Sequence, residues 1–543
     1  MRVLRLAFGP ERAHVLGIGV LGGALMMSFG FEGPILAKGV AAASLGVDRP
    51  DLALGLLAVT VAYIWAGIST VRRVTENLLL AVMLGRRRLI ETTLRSDLAT
   101  MEQAGAENVL AALTVAPDDI IATAPLLARG FRTGCYMIGT LVVLASLAWQ
   151  LFAVMAGVLM IIFSTLALNH QAVMGALSEA GELEAGMRQD LRALVLGFKE
   201  LRLNAARRRL FLTGLHRRAN AMLDAIAYAN RRQTIGFVLQ ASATLAASGM
   251  CIFVVPNLLP DVDPVTMITA AVLMSNISFG LVRDIPLLAR GEAAIADMER
   301  LHTVLRPANA APPHPAIAEH PPRETPTRET PTRGAAPLSL DGVCYQYPDQ
   351  DDERGFAFGP VTIDFPPGTI TFVLGGNSSG KTTLMKLLAG LYTPSLGEIN
   401  LGGVGFSPAE LRESVSAIFA DPYIFDRLYG WSDADPEMVN TLLADMGIGG
   451  RVRFVEGRFS SIDLSTGQRK RLAWVVAMIE ARPILLLDQW AADQDPEFRE
   501  HFYRVMLPAL RAAGRTVIAV TNDDRYYDAA DRLIHFDDGL VAG

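Results

Sequence analysis

Six apolar runs crowd into the first half of this 543-residue chain: Val15 to Phe31, Leu52 to Val71, Gly134 to Trp149, Leu151 to Leu168, Ile235 to Pro256 and Val265 to Val282. A helix crossing a bilayer core needs about 20 predominantly apolar residues, within a range of about 17–25, so each run is long enough or nearly so. Six membrane-spanning helices are therefore the natural count. Composition agrees, with 51% hydrophobic residues, only 19% charged and a positive mean hydropathy. The third and fourth runs meet at Trp149 and Gln150, which reads as a tight hairpin with an interfacial aromatic. Before the first run stand Arg2, Arg5 and Arg12, and Ala41 to Ala43 follow it, a frame that a cleaved signal peptide also shows. The run is long for a signal core, and the later spans make the protein membranous regardless, so it reads as the first span.

The net charge of −6 is modest, and no basic stripe interleaved with aromatics occurs, which argues against a nucleic-acid partner. Cys135, Cys251 and Cys344 are scattered and fit neither a disulfide framework nor a metal site. Arginine placement gives the orientation. Arg72, Arg73 and Arg86 to Arg88 follow the second run, and eight arginines from Arg202 to Arg232 lie between the fourth and fifth. The opposite loops hold Asp48, Asp51, Asp261 and Asp263, so both termini are expected on the cytoplasmic side.

Each of the two Arg-rich connections is about 60 residues long and rich in helix formers. Helical arms of about 28 residues would each reach about 40 Å, so the spanning helices should continue well beyond the bilayer as struts that touch another domain at their tips. Beyond the six runs, residues 306–337 contain RETPT twice in tandem and are rich in Pro, Ala and Thr, the composition of a linker. The expected domains are residues 1–305 in the membrane, 306–337 as linker and 338–543 as a soluble domain.

Within the soluble part, "ITFVLGGNSSGKTTLMKLLAGL" reads as an apolar strand pattern, a glycine-rich turn and a helical pattern. Gly375, Gly380, Lys381 and Thr382 match a phosphate loop: backbone N–H groups wrap phosphate, Lys381 reaches its terminal groups and Thr382 ligates Mg²⁺. A second buried strand, "PILLLD", delivers Asp488 to the same Mg²⁺ shell. About 20 residues before it, Leu464 to Gln468 read LSTGQ at the start of an amphipathic helix, a second anion-binding cap. One nucleotide cannot use two such caps from one chain unless they lie close together. A head-to-tail dimer solves this.

With these motifs in place, the chain resembles the ATP-binding cassette transporters over nearly its whole length. Six spans with long cytoplasmic arms ahead of an α/β P-loop nucleotide-binding domain look like a type IV exporter half-transporter that works as a homodimer. The resemblance implies that the nucleotide phosphates lie along Gly375 to Thr383, with Asn377, Ser378, Ser379 and Thr383 in the loop. It also implies that Ser465, Gly467 and Gln468 meet the γ-phosphate bound by the second copy, and that Tyr347 in "VCYQYP" stacks on adenine. Asp495 sits where the family's aspartate spans the dimer. Closure would draw the arm tips together, with Leu113 to Ile121 and Arg207 to Leu215 as contact segments. The segments "GFKELRLN", "WAADQDPEFR" and "NDDRYYDAADRLIHFDDG" look like the subfamily that exports cyclic peptides and siderophore-type precursors across the bacterial inner membrane. Lipids and a peptide-like cargo would be the other partners.

Three positions depart from the family pattern. Its glutamine between the lobes would fall near Ala420, where Asp421 is the nearest polar residue and a substitute Mg²⁺ ligand. Its histidine after "TVIAVT" is Asn522, which can hydrogen-bond the γ-phosphate but carries no charge. Its catalytic glutamate is Gln489, nearly isosteric but unable to accept a proton, so that ATP and Mg²⁺ should bind, the dimer close, and hydrolysis stall. Gln489 reads as an engineered Glu→Gln change in an otherwise intact site. Together with Asn522 it also fits an ATP-binding membrane scaffold or regulator without turnover, and a lipid or drug exporter shares the same architecture. Glu32, Gln240, Asn276 and Ser278 are polar groups within the runs, and none is assigned to cargo.

Overall fold

Helix formers dominate the first half, and the computed structural model turns them into helices far longer than a bilayer is thick. It describes residues 49–147, 149–254, 285–306, 337–347, 357–405, 408–431 and 433–542, with isolated positions elsewhere. The first and sixth apolar runs lie largely outside the described residues, as do the linker and Glu32, Asn276 and Ser278. The chain divides into two units, residues 1–94 with 107–304, and residues 95–106 with 305–543.

In the first unit, α1 (Pro50–Arg95) is followed by α3 (Ala106–Ala122), α4 (Ala124–Leu147), α5 (Trp149–Leu196), α6 (Phe198–Leu203), α7 (Ala205–Phe253) and α8 (Ile285–Val304). The stretch α2 (Leu98–Ala104) belongs to the second unit. Among the described residues, Pro50–Arg95 and Ala106–Val143 are long and apolar enough to cross a membrane. Helix α5 has 48 residues and α7 has 49. At 1.5 Å per residue each extends about 70 Å, more than twice the ~30 Å hydrocarbon core, so the arms are continuations of these helices. Val74, Leu78 and Val82 of α1 pack on Ala116, Ile120 and Leu127 and on Ala294 and Ile295 of α8. Leu54, Leu57, Val61 and Trp65 of α1 remain exposed, as expected of a face turned to lipid. Between α5 and α7, Arg218 Nη1 donates to Asp190 Oδ2 at 2.5 Å and to the Gly186 carbonyl at 2.7 Å.

The arms are not unbroken struts. After α1 ends at Arg95, Asp97 caps α2 by accepting from Thr100 N at 2.8 Å, and Gly105, at φ +79°, ends it. The second arm breaks at Gly197, where a Cβ would lie 2.8 Å from the Ala193 carbonyl, and restarts at Asn204, which caps α7 through Arg207 N at 3.0 Å. An Asp or Asn cap and a glycine are enough to interrupt a helix that propensity alone would continue. Residues 95–106 of the first arm fall within the ATPase unit, and Leu113–Ile121 and Arg207–Leu215 fall within the first unit.

The second unit is built on two large sheets, with a two-stranded ribbon of β7 (Phe454–Val455) and β8 (Arg458–Phe459) beside them in sequence. Strands β1 (Leu338–Gln346), β2 (Ala357–Phe365), β4 (Leu396–Leu401) and β5 (Val404–Gly405) form an antiparallel sheet in the order β2-β1-β4-β5. The other sheet runs β12-β11-β3-β10-β9-β6. It comprises β3 (Ile370–Gly375), β6 (Val415–Ile418), β9 (Ile484–Asp488), β10 (Thr516–Val520), β11 (Arg532–Asp537) and the antiparallel edge β12 (Leu540–Ala542). Its inner strands are parallel and buried on both faces, which is why "ILLLD" and "TVIAV" read as unbroken apolar runs. Helices α9 (Lys381–Leu388), α10 (Thr466–Glu480) and α11 (Pro496–His501) complete the elements that shape the site.

Helix α2 sits on this unit beside three tyrosines. Leu98 and Ala99 pack on the cluster that holds Tyr345 and Tyr392. The Tyr392 hydroxyl donates to Glu102 Oε2 at 2.6 Å, while Lys386 Nζ donates to Glu102 Oε1 and to the Tyr392 oxygen, both at 2.9 Å. Burial pushes the Tyr392 hydroxyl well above its usual range, and the Glu102 bond adds to that, so it remains a donor. Two charge-assisted bonds at a half-exposed carboxylate are worth about 1–2 kcal/mol after solvent screening. Glu102→Ala is expected to loosen α2 while leaving the ATPase sheet folded, seen as faster amide exchange in residues 97–105 and unchanged exchange in β3 and β9. Equal protection in α2 would mean that Leu98 and Ala99 hold it unaided.

Candidate nucleotide site

Adjacent strands bring the sequence motifs to one sheet edge. In the register, Val520 of β10 pairs with Asp488 of β9 and with Val373 of β3. Gly375, Gln489 and Asn522 therefore emerge within two residues of the same level, at the carboxyl ends of parallel strands where ligands of α/β sheets bind.

The loop after β3 needs its glycines. A Cβ on Gly375, at φ +144°, would lie 2.2 Å from the Phe536 carbonyl. Gly380, at φ +99°, starts α9 in a left-handed turn, and Ser378 also has positive φ. Asn377 and Ser378 are exposed on this loop, while Ser379 is buried. Lys381 is buried and curls back, donating from Nζ to the Gly375 carbonyl at 2.9 Å, to the Gly376 carbonyl and to Ser379 Oγ at 3.2 Å. Desolvation lowers its pKa and the Asp488 charge opposes that shift. A buried cation held by neutral oxygens beside a helix N-terminus is chemically suited to a polyphosphate.

Asp488 is 2% exposed, and burial raises its pKa against the Thr382 hydrogen bond and the charges of Lys470 and Lys381. The Thr382 hydroxyl donates to Asp488 Oδ2 at 3.4 Å. This pair of hard oxygen donors fits Mg²⁺, which would also offset the cost of the buried carboxylate. Asp421 has a cationic partner. Its side chain is 82% exposed and forms an ion pair with Arg469 at 3.3 Å. On the other side of the loop, the Tyr347 hydroxyl shares a hydrogen bond of 2.8 Å with Thr383 Oγ1. Tyr345, edge-on to Tyr347 at 5.1 Å, has its own hydroxyl pushed up to about 12 by burial.

Gln489 occupies a left-handed conformation at φ +50°. Its N–H donates to the Val520 carbonyl at 3.1 Å and its own carbonyl accepts from Lys470 Nζ at 2.8 Å. Asn522 is exposed at the end of β10. The LSTGQ turn forms a capping box: Gln468 N donates to Ser465 Oγ at 3.4 Å and Ser465 N donates to Gln468 Oε1 at 3.2 Å. Ser465 and Thr466 are exposed. Contacts from this turn reach residues 493–494: a Cβ on Gly467 would lie 2.6 Å from the Asp493 carbonyl, and Gln494 Nε2 donates to the Gly467 carbonyl at 3.2 Å. Asp495 caps α11 and accepts from Arg471 Nη2 at 2.6 Å.

Tyr347, the phosphate loop, Asp488, Gln489 and Asn522 thus gather on one side of the unit. Ser465, Gly467 and Gln468 stand on another turn, exposed at Ser465 and Thr466. Sequence reasoning missed Lys470, although its spacing from Ala473, Trp474 and Ala477 places it on the buried face of α10.

A family model described as ABC transporter matches residues 358–492. The ATP-binding protein SyrD of Pseudomonas syringae pv. syringae is 30% identical over 464 residues, covering 83% of this chain and 81% of that protein. An ATP-dependent lipid A-core flippase of Alkalilimnicola ehrlichii is 26% identical over 302 residues, 52% of this chain and 48% of its own length. A solved structure described as a bacterial Atm1-family ABC exporter with ATP bound superposes with a TM-score of 0.72 at 17% identity, covering 98% of this chain and 94% of that one.

Proposed function

The chain belongs to the ABC transporter family, with the exporter fold and an ATPase domain that couples hydrolysis to transport, and from that premise we propose that two copies export a peptide-type cargo across a bacterial inner membrane. The observation that carries the ATP-driven part is the convergence of buried Lys381, Thr382 and buried Asp488 on one sheet edge. In this reading Lys381 releases its carbonyls to bind the terminal phosphates and the loop N–H groups take the others. Thr382 and Asp488 would hold Mg²⁺, which supplies charge neutralisation at the transferring phosphoryl group. Tyr347 provides the adenine platform, oriented by Thr383. The turn of Ser465, Gly467 and Gln468, exposed at Ser465 and Thr466, closes over the nucleotide of the second copy.

Gln489 is the hydrolysis-deficient element. It lies next to Asp488 and can orient a water but cannot take its proton. Support for peptide cargo comes from the three subfamily-like segments, of which "GFKELRLN" forms the helix α6 break in the second arm. Asn522 and Gln489 together favour a second reading, an ATP-binding membrane regulator without turnover.

The test uses inside-out vesicles that carry the full-length Gln489→Glu chain. Cyclic and siderophore-type peptides are expected to stimulate phosphate release and to accumulate in the lumen in an ATP-dependent way. Stimulation by lipids or amphipathic drugs alone would replace the cargo class, and ATP binding without stimulated turnover by any of these would favour the regulator.

A further inference from the structure

Lys470 is 1% exposed at its side chain, a fully buried ammonium on α10 one turn into the helix that begins with LSTGQ. Burying an ammonium is costly unless it is paired and hydrogen-bonded. Its partners are specific: Nζ donates to the Gln489 carbonyl at 2.8 Å and to Asp493 Oδ2 at 2.5 Å. The bond is returned by the next residue along, since Trp490 Nε1 donates to the Lys470 carbonyl at 2.9 Å. Gly467 and Arg471 add ties on either side, through the close approach to Asp493 and the bonds to Gln494 and Asp495. The turn that would serve the second copy's nucleotide and the residue that would act on this copy's nucleotide are thereby joined at one ammonium.

We propose that Lys470 is a positioning residue for hydrolysis: by holding the carbonyl of residue 489 and the carboxylate of Asp493 together, it fixes the left-handed backbone that aims the 489 side chain and links that aim to the seating of the LSTGQ turn. A non-glycine residue in the left-handed region costs about 1–2 kcal/mol and persists only where its surroundings enforce it. Residue 489 has that conformation, and Lys470 supplies a charged donor to its carbonyl. Movement of the turn as it meets the second copy would be transmitted through Lys470 to residue 489.

The inference rests on the reading of position 489 as the hydrolytic one. The experiment uses the full-length chain with Gln489→Glu and adds Lys470→Met or Lys470→Gln. Met matches the stem in shape, and Asp493, 45% exposed, can turn to water, so folding should survive. Gln keeps a neutral donor toward the carbonyl and serves as the conservative variant. ATP affinity, kcat, KM and thermal midpoint are measured for each. The expected result for Lys470→Met is a fall in kcat of at least tenfold with KM and affinity within threefold, and for Lys470→Gln a smaller fall. A purely structural lysine would instead give matched losses of kcat, affinity and thermal midpoint in both variants, and that outcome overturns the proposal, as does an unchanged kcat. Should the Gln489→Glu parent itself not hydrolyse ATP, the reading of position 489 fails first and Lys470 falls with it. A working parent indifferent to Lys470→Met removes Lys470 alone.

Discussion

Replacing Gln489 with glutamate is expected to raise phosphate release by the purified chain at least tenfold. Glutamine and glutamate differ at one terminal atom, and the backbone conformation of residue 489 is set by bonds that the side chain does not make: its N–H to Val520 and its carbonyl to Lys470. The substitution therefore changes the chemistry at an unchanged address. A positioned general base contributes about 10²–10⁴-fold in rate, so a tenfold rise is a conservative threshold. Asn522 is expected to set the ceiling, because a neutral amide at the end of β10 cannot share the γ-phosphate charge that Lys381 and a bound Mg²⁺ would carry. Phosphate release in nanodiscs, measured side by side for the two chains, decides the matter. Equal inertness would mean that Asn522 and Asp421 mark a site built to hold ATP rather than consume it, and the regulator reading would take over.

How much of this was legible in the sequence depends on the range of the interactions involved. The phosphate loop and the strand before Asp488 were readable because local rules set them: positive φ at Gly375 and Gly380, and burial on both faces of β9. The length of α5 and α7 followed from helix-forming composition that continues past the apolar runs. The breaks in the arms were written just as locally, in Asp97 and Gly105 and in Gly197 and Asn204, but a propensity average over 30 residues hides a single cap. Other features depend on residues far apart in sequence. Glu102 meets Lys386 and Tyr392 across more than 280 positions, and nothing in "ATMEQAG" announces a tyrosine partner. Asp421 is, in sequence, the polar residue nearest to the position of the missing glutamine. Its pairing with Arg469 is a tertiary contact that no spacing rule foretells.

Mixed dimers should show that each ATP site is shared between two chains. Consider Lys381→Ala in one copy and Ser465→Arg in the other, both in the Gln489 chain, which should hold ATP without consuming it. Lys381→Ala removes the buried cation of the phosphate loop. Ser465→Arg removes the cap of α10 and fills the exposed turn where an anion would enter. In a head-to-tail homodimer of either variant, every site carries one defect, so little Mg·ATP should survive rapid gel filtration. Isolated with two affinity tags, the mixed dimer concentrates both defects in one site and leaves the other intact. It should therefore retain about half of the parent's nucleotide, the share set by one intact site of two under the isologous symmetry of the pair. Sites complete within one chain would behave otherwise: mixing could then do no better than the average of two poor binders. Rescue on mixing requires that the exposed LSTGQ turn of one copy reach the phosphate loop of the other.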